Sequence, residues 1–447
     1  MKASEKLWYG IGPLGAQIGL RLVEFAPLYF YTEAPLGLLG LFAGIALALS
    51  KLVIMVAQFA AGALSDRIKG KRWGRRKPFA ITGAPFLALS MILLFAPMYF
   101  LPTMTMVPDY HADSYQIPLF LYMTFAVCMV NFWYGWISTP YQAWMPELTE
   151  PQERTKLSTI LNTTNMIGTA IGIAISLMFF PTLIATQNWG MIIEIMIIAS
   201  LIQILFYVPA VIKLRESADK HIKTPSIMRE LGTITRNRNY MKWILTQGTL
   251  SVSIISIQSL VLDFMKYILQ FTSQMDYIIF GVIFIFVAIF SFLIWMALYR
   301  RFSKKRSLTF AMIFLAIILP FSMIIGIGIP LSLFLQGGIY VGLVAFTLAG
   351  YMLIPYIIMA DIAHEDELRT GEARAGIYMG FNSIPLNIFQ AVGLMISGIL
   401  VDVPGYMGYR YFGPILAIFL VLGVLVLQKV KVDFDFSKGA KGTTKKR

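Results

Sequence analysis

Apolar residues along this chain come in long unbroken blocks, without the alternating or one-faced patterns of soluble elements. About 20 apolar residues cross a bilayer as a helix. Twelve blocks reach that length: 8–32, 36–64, 78–101, 117–141, 158–186, 190–212, 241–269, 275–299, 308–328, 331–359, 377–402 and 410–428. None has the ten-residue alternation of a transmembrane strand, which excludes a β-barrel. The pattern predicts an all-α membrane protein with twelve transmembrane helices. The first block follows only Lys2 and Lys6, outruns a signal-peptide core and precedes no small-residue cleavage site, so it is expected to be retained as a span.

Composition agrees: 57% of the 447 residues are hydrophobic and 13% charged, against about 25% charged in soluble domains. The net charge of +14 takes its meaning from location. All but Arg21, Lys51, Lys266 and Arg410 of the 37 Lys and Arg lie at the termini or in the loops after even-numbered blocks, counting Lys242 at the edge of the seventh block with the loop before it. Positive charge favours the cytoplasmic side, so a multi-pass protein of the cell membrane with both termini cytoplasmic is expected. The excess suits anionic membrane lipids, and no basic folded module exists to carry nucleic acid. The single cysteine, Cys128, falls in the fourth block, so no intrachain disulfide forms.

Residues 213–240 are the one long charged break and divide the spans six and six. The expected organisation is a six-helix bundle over 1–212, a cytoplasmic linker over 213–240, a second bundle over 241–429 and a basic tail over 430–447. Echoes cross the break: "GALSDR" (62–67) with "MALYRR" (296–301), and "EFAPLYF" (24–30) with "DFMKYIL" (263–269). A third pair is "PYQAWMPELTEPQERT" (140–155) with "PYIIMADIAHEDELRT" (355–370). Read alone, the acidic residues of the last segment suggest a metal site. The echo makes it one copy of a duplicated cytoplasmic loop, and no ligand set with metal spacing emerges, so it reads as a salt-bridged loop helix. No metal or cofactor is expected. Duplicated bundles predict a monomeric transporter with its solute near the bilayer midplane, between the repeats.

"GALSDRIKGKRWGRRKPF" (62–79), "PELTEPQERTKLSTI" (146–160), "MADIAHEDELRTGEARAGIYMG" (359–380) and "KLWYGIGPLGAQIG" (6–19) are spread over nearly the whole chain. Together they resemble the glycoside–pentoside–hexuronide cation symporters and related sucrose carriers of the major facilitator superfamily. The resemblance implies two pseudo-symmetric six-helix bundles and coupled transport of a sugar or glycoside. Gating is expected from Asp66 with Arg67, Arg75 and Arg76 after the second span, and from Arg154 and Arg369 in the echoing loops; such pairs brace one conformation and release in another. In melibiose-type members, acidic side chains bind cation or sugar where this chain has Gln17, Ile54, Gln58 and Ser138. An aromatic that holds sugar falls at Gln142, and basic positions fall at Asn162 and Asn387. The sodium site is therefore not expected in its known form; a proton is the expected coupling ion and sodium the alternative.

Charged groups inside spans are costly unless paired or wetted. Arg21 and Glu24 are three apart and share a helix face with Gln17; Lys51 lies in the second span, and Asp263 with Lys266 repeats the acid–base spacing in the seventh. Glu24 or Asp263 is expected to exchange the coupling proton, with Gln58 and Lys266 beside them. Amides donate and accept, which suits hydroxyl-rich solutes, and Asn131, Asn162, Asn165, Gln247, Asn382 and Asn387 are candidate contacts alongside Gln17 and Arg21. Trp133 is expected to stack on a sugar ring, as are its neighbours Tyr134 and Trp136. Glu194 and Asp402 read as helix-end residues. An amphiphile or lysolipid carrier of the same fold is the alternative transport reading. A membrane enzyme lacks support, because His111, His221 and His364 all fall in loops and the spans hold no Ser–His pair, paired DxxD acids or HExxH motif of the kind general acid–base work needs.

Overall fold

The structure, a computed structural model, describes residues 3–68, 74–149, 151–214, 232, 234–353, 355–370 and 375–432. Every regular element among them is helical. The first expected span is broken into α1 (Ala3–Ile11), α2 (Leu14–Phe25) and α3 (Pro27–Thr32). Pro13 and Pro27 cause the breaks, since a proline has no N–H for the carbonyl four residues back and its ring crowds that carbonyl. The Tyr9 carbonyl, deprived of a partner at residue 13, accepts the Gly12 amide at 3.4 Å and the Tyr141 hydroxyl at 2.6 Å. The Tyr9 hydroxyl in turn donates to the Tyr141 carbonyl at 2.8 Å, between rings stacked 4.8 Å apart.

The helices that follow are α4 (Gly40–Arg67), α5 (Lys77–Leu94), α6 (Asp113–Leu148), α7 (Pro151–Ala185) and α8 (Trp189–Lys213). Beyond the linker come α9 (Arg238–Asp263), prolonged by a π-helical turn over Phe264–Ile268, then α10 (Gln274–Arg301) and α11 (Lys304–Ile318). The last four are α12 (Leu333–Leu353), α13 (Pro355–Thr370), α14 (Ala375–Val401) and α15 (Gly408–Gln428). Among the described residues eleven helices are long and apolar enough to cross a membrane, and the broken α1–α3 cover the remaining expected block. Phe86, Phe125, Leu205 and Phe290 stand half or more exposed on outer faces, as suits helices that are apolar all round.

Hydrocarbon supplies no hydrophobic drive between helices, so close approach through small residues holds them together. Gly168 and Gly172 of α7 seat α2: a Cβ on either would lie 2.6 Å from a carbonyl oxygen, of Leu14 or of Ile18.

Contacts gather the chain into two units. The first holds residues 1–223, 255–282 and 391–409; the second holds 224–254, 283–390 and 410–447. This division differs from the sequence halves. The ends of α9 and α14 opposite the basic loops, with the start of α10, belong to the unit of α1–α8. The reason lies in backbone contact and polar bridging within that unit. Gly44 of α4 packs where a Cβ would come 2.8 Å from the Leu394 carbonyl of α14, and Gly398 abuts the Gly40 carbonyl. Asp402, past the end of α14, accepts the Gly40 and Leu41 amides at 2.6 and 2.7 Å and so caps α4. It is thus more than the helix-end residue expected.

Within the second unit, buried Trp295 of α10 donates from Nε1 to the Phe346 carbonyl of α12 at 2.8 Å. Tyr240 of α9 donates to the Tyr378 carbonyl of α14 at 2.6 Å. The acidic run forms α13, where Asp361 meets Lys304 at 2.5 Å, Asp366 meets Arg369 at 3.0 Å and His364 lies 3.6 Å from Glu367.

Candidate solute and coupling sites

The first unit holds a small cavity lined by Gln17, Tyr134, Ser138, Gln142, Asn165 and Tyr207, among others. Residues 134, 138 and 141 stand four and three apart on α6, one helical face. Gln17 reaches across from α2 and donates to the Tyr134 hydroxyl at 3.1 Å. The Asn165 amide oxygen is buried without a partner. Asn131 lies on the same stripe of α6; its nitrogen donates back to the Val127 carbonyl at 3.1 Å and its oxygen is unpaired.

One turn above Gln17, Arg21 pairs with the Glu24 carboxylate, as their spacing predicts. Lys51 of α4 approaches the other Glu24 oxygen at 3.2 Å, so one carboxylate is held between two cations. All three side chains are largely shielded, at 18%, 12% and 8% exposure for Arg21, Glu24 and Lys51. The Arg21 Nε is buried and unpartnered. Gln58 stands two turns along α4 from Lys51 with its amide oxygen also unpartnered.

A second cluster sits where α3 and α9 end and α15 begins. Asp263 is fully buried; one oxygen accepts the Tyr409 hydroxyl at 3.1 Å and the other has no partner. Lys266 does not pair with Asp263. The π turn swings it to Glu33, at 2.5 Å, and Tyr267 donates to the other Glu33 oxygen. Tyr267 stacks on Tyr409 with ring centroids 5.3 Å apart.

Other expected residues fall elsewhere. Trp133 stacks on Phe86 of α5 at 4.7 Å, and Trp136 packs on Phe79. Residues 133 and 136 thus share the α5-facing side, so Trp133 is a helix-packing aromatic and does not line the cavity. Asn162 is exposed, its amide turned 3.4 Å from the Ser158 hydroxyl of its own helix. In the second unit, Gln247 and Asn382 are buried, and Asn387 donates to the Ser383 carbonyl of its own helix at 2.8 Å. For gating, Arg76 is buried and donates to the Ser65 hydroxyl; Arg75 lies half-buried beside it in sequence; Arg369 holds Asp366. The side chains of Asp66, Arg67 and Arg154 lie outside the described residues.

Sequence reasoning passed over Glu33 and Tyr409 and missed Lys51 as a partner of Glu24. Their partners stand 233, 146 and 27 residues away, so no local spacing announces them. Tyr134, Ser138 and Gln142 were within reach, since their helical spacing marks one face.

The sequence matches the family described as MFS/sugar transport protein over residues 8–428. It is 27% identical to an uncharacterized symporter of Synechocystis over 234 residues, 51% of this chain and 40% of that relative. The match therefore spans less than half the relative's length. Among solved structures, the inward-open xylose transporter XylE from E. coli is similar in fold, with a TM-score of 0.64 at 14% identity, covering 95% of each chain. A proton-dependent oligopeptide transporter is similar at a TM-score of 0.66 and 12% identity, covering 96% of this chain and 98% of its own.

Proposed function

Because the chain belongs to the MFS/sugar transport protein family, we propose that it is a proton-coupled secondary transporter of a sugar or glycoside, working by alternating access. The family is one of transporters, which sets the enzyme class aside. The reading includes a monomer in the cell membrane, with both termini on the cytoplasmic side where the basic loops gather. The observation that supports solute binding best is the cavity of Gln17, Tyr134, Ser138 and Asn165, whose amides and hydroxyls match a polyhydroxylated molecule.

Coupling by proton rests on Asp263 rather than Glu24. Glu24 stays between two cations, whereas Asp263 has a single neutral donor and an orphan oxygen. An isolated buried carboxylate costs far more than a neutral buried acid, so Asp263 is the carboxyl suited to load and release a proton. The charged and titratable groups around it are Glu33, Lys266, Tyr29, Tyr267, Tyr277 and Tyr409. The test is uptake of labelled neutral and acidic glycosides into proteoliposomes, with proton and sodium gradients imposed separately. Asp263→Asn is expected to lose at least tenfold of proton-driven accumulation while keeping solute counterflow. Wild-type accumulation driven by sodium alone, or full uphill transport by Asp263→Asn, would overturn the coupling assignment.

A further inference from the structure

Asp263 and Lys266 stand three apart, a spacing that in a regular α-helix brings acid and base onto one face. The pair does not form, because the helix widens into the π turn over Phe264–Ile268. That turn is closed by the Leu269 amide on the Phe264 carbonyl at 3.1 Å and the Phe271 amide on the Met265 carbonyl at 3.2 Å. Gln270, between them, takes φ 55°, a left-handed conformation uncommon outside glycine. Lys266 and Tyr267 are carried to Glu33, so consecutive residues of one irregular turn hold both oxygens of that carboxylate. Glu33 closes α3, and its carbonyl accepts the Leu36 and Gly37 amides of the connection to α4. Lys266 thereby ties the end of α9 to the α3–α4 connection, all within the first unit.

This arrangement balances charge in only one protonation state. The titratable and charged groups facing Asp263 are Glu33 and Tyr29 from α3 and its end, Tyr277 from α10, Tyr409 from α15, and Lys266 and Tyr267 on its own continuation. Two carboxyls in that set share one ammonium, so the cluster is neutral while Asp263 is protonated. Ionised, Asp263 has a neutral Tyr409 donor, an oxygen without a partner and no exposure to water, a condition that low-dielectric surroundings penalise heavily. The Tyr29 hydroxyl is also buried and unpartnered, so an unused donor and an unused carboxylate oxygen share the cluster. Glu33 keeps 10% of its side chain exposed beside Lys266 at 30%; water can serve Glu33 once the ammonium leaves, but it cannot serve Asp263.

We propose that Lys266 exchanges carboxylates with the coupling proton: it holds Glu33 while Asp263 is protonated and passes to Asp263 when that proton leaves, as the π turn anneals to α-helix. This rests on the assignment of Asp263 as the proton carrier made above and adds the residues through which its proton moves the backbone. Annealing removes the extra residue from the turn and restores the three-residue register, so Lys266 and Tyr267 leave Glu33 together and the tie to the α3–α4 connection opens. Glu33 and Tyr267 are positioning residues: they set which state holds the ammonium, and neither carries the transported proton.

The experiment titrates the full-length protein in detergent from acid to alkaline pH, with no solute added. Infrared difference spectra follow the protonated carboxyl band of Asp263, identified by its loss in Asp263→Asn. At each pH, acylation of Lys266 by sulfosuccinimidyl acetate is read by mass spectrometry against exposed Lys213, and deuterium uptake over residues 264–271 is corrected for the intrinsic pH dependence of exchange. As the band disappears on raising the pH, Lys266 acylation is expected to fall at least fivefold, because the ammonium leaves a part-exposed partner for a buried one. Uptake over residues 269–271 is expected to slow at least fivefold as the turn gains regular helical bonds. Asp263→Asn is expected to keep Lys266 on Glu33 at every pH and abolish both changes. Glu33→Gln is expected to move both to lower pH, and Tyr267→Phe, which removes a bond without altering charge, to move them the same way by less. Wild type decides the outcome by itself should a variant not fold. A band that titrates while acylation and exchange stay constant overturns the exchange of partners and leaves Asp263 as the proton carrier. Changes that persist in Asp263→Asn overturn it too, and a band that never titrates sinks the exchange together with the proton assignment.

Discussion

Tyr9 and Tyr141 illustrate how single side chains repair what prolines break. Pro13 denies the Tyr9 carbonyl its helical partner; it keeps a long bond from the Gly12 amide at 3.4 Å, and the Tyr141 hydroxyl adds a shorter one at 2.6 Å. The reverse bond, from the Tyr9 hydroxyl at 2.8 Å, ends on a carbonyl inside the continuous helix α6. The two are therefore unequal. Tyr141→Phe leaves the Tyr9 carbonyl with only the long Gly12 bond, at a cost of up to about 1–3 kcal/mol, whereas Tyr9→Phe removes a bond to a carbonyl within a continuous helix. Thermal unfolding in detergent is expected to place Tyr141→Phe below Tyr9→Phe, and equal shifts would show that the break is satisfied some other way. The same accounting separates the two carboxyls of the spans. Glu24 and Asp263 look alike as lone acids in apolar sequence, yet one has two cations for neighbours and the other a tyrosine hydroxyl. Only the former was legible, and only in part. Arg21 at i−3 is written in the spacing, but Lys51 arrives from another helix.

Between elements, the crossing of α4 with the end of α14 is the contact that brings distant sequence into the first unit. It combines glycine surfaces at Gly40, Gly44 and Gly398 with a charged cap, because Asp402 accepts two of the amide N–H groups that every helix start leaves unpaired. A carboxylate there also opposes the positive end of the helix dipole. Hydrogen bonds to a charged group are worth about 1.5–3 kcal/mol each, so Asp402→Asn is expected to speed deuterium exchange of the Gly40 and Leu41 amides by tenfold or more. Gly398→Val forces the two backbones apart and is expected to speed exchange across residues 38–45 as a whole. Unchanged exchange in both variants would mean that the crossing is held elsewhere. Glu33 with Lys266 and Tyr267 completes the same end of the unit. There the π turn after Asp263 matters: by rotating residues 266 and 267 off the regular helical register, it gives Lys266 to Glu33 and leaves Asp263 to Tyr409.

For the molecule as a whole, proton coupling sets a charge balance: a neutral solute entering with one proton moves one net charge. A membrane potential acts on each translocated charge with about 2.3 kcal/mol per 100 mV. Uptake of a neutral glycoside is therefore expected to rise both with an imposed pH gradient and with an inside-negative potassium-diffusion potential; indifference to both would break the coupling of proton with solute. The division between what sequence and tertiary structure decide follows the range of the forces involved. Unbroken apolar blocks, the one-sided placement of Lys and Arg and the charged break at 213–240 are properties of consecutive residues. Hydrocarbon thickness and charge cost act on them without reference to the rest of the chain, so the helical class and the spans were set by sequence alone. Helix faces follow from the 3.6-residue turn, which is why Arg21 with Glu24 was foreseeable, and Tyr134 with Ser138 equally so. Which face meets which helix depends on glycine-level fits between segments hundreds of residues apart. That is why Trp133 turned to Phe86, why Lys266 went to Glu33, and why Asp402 became the cap of a helix 362 positions earlier in the chain.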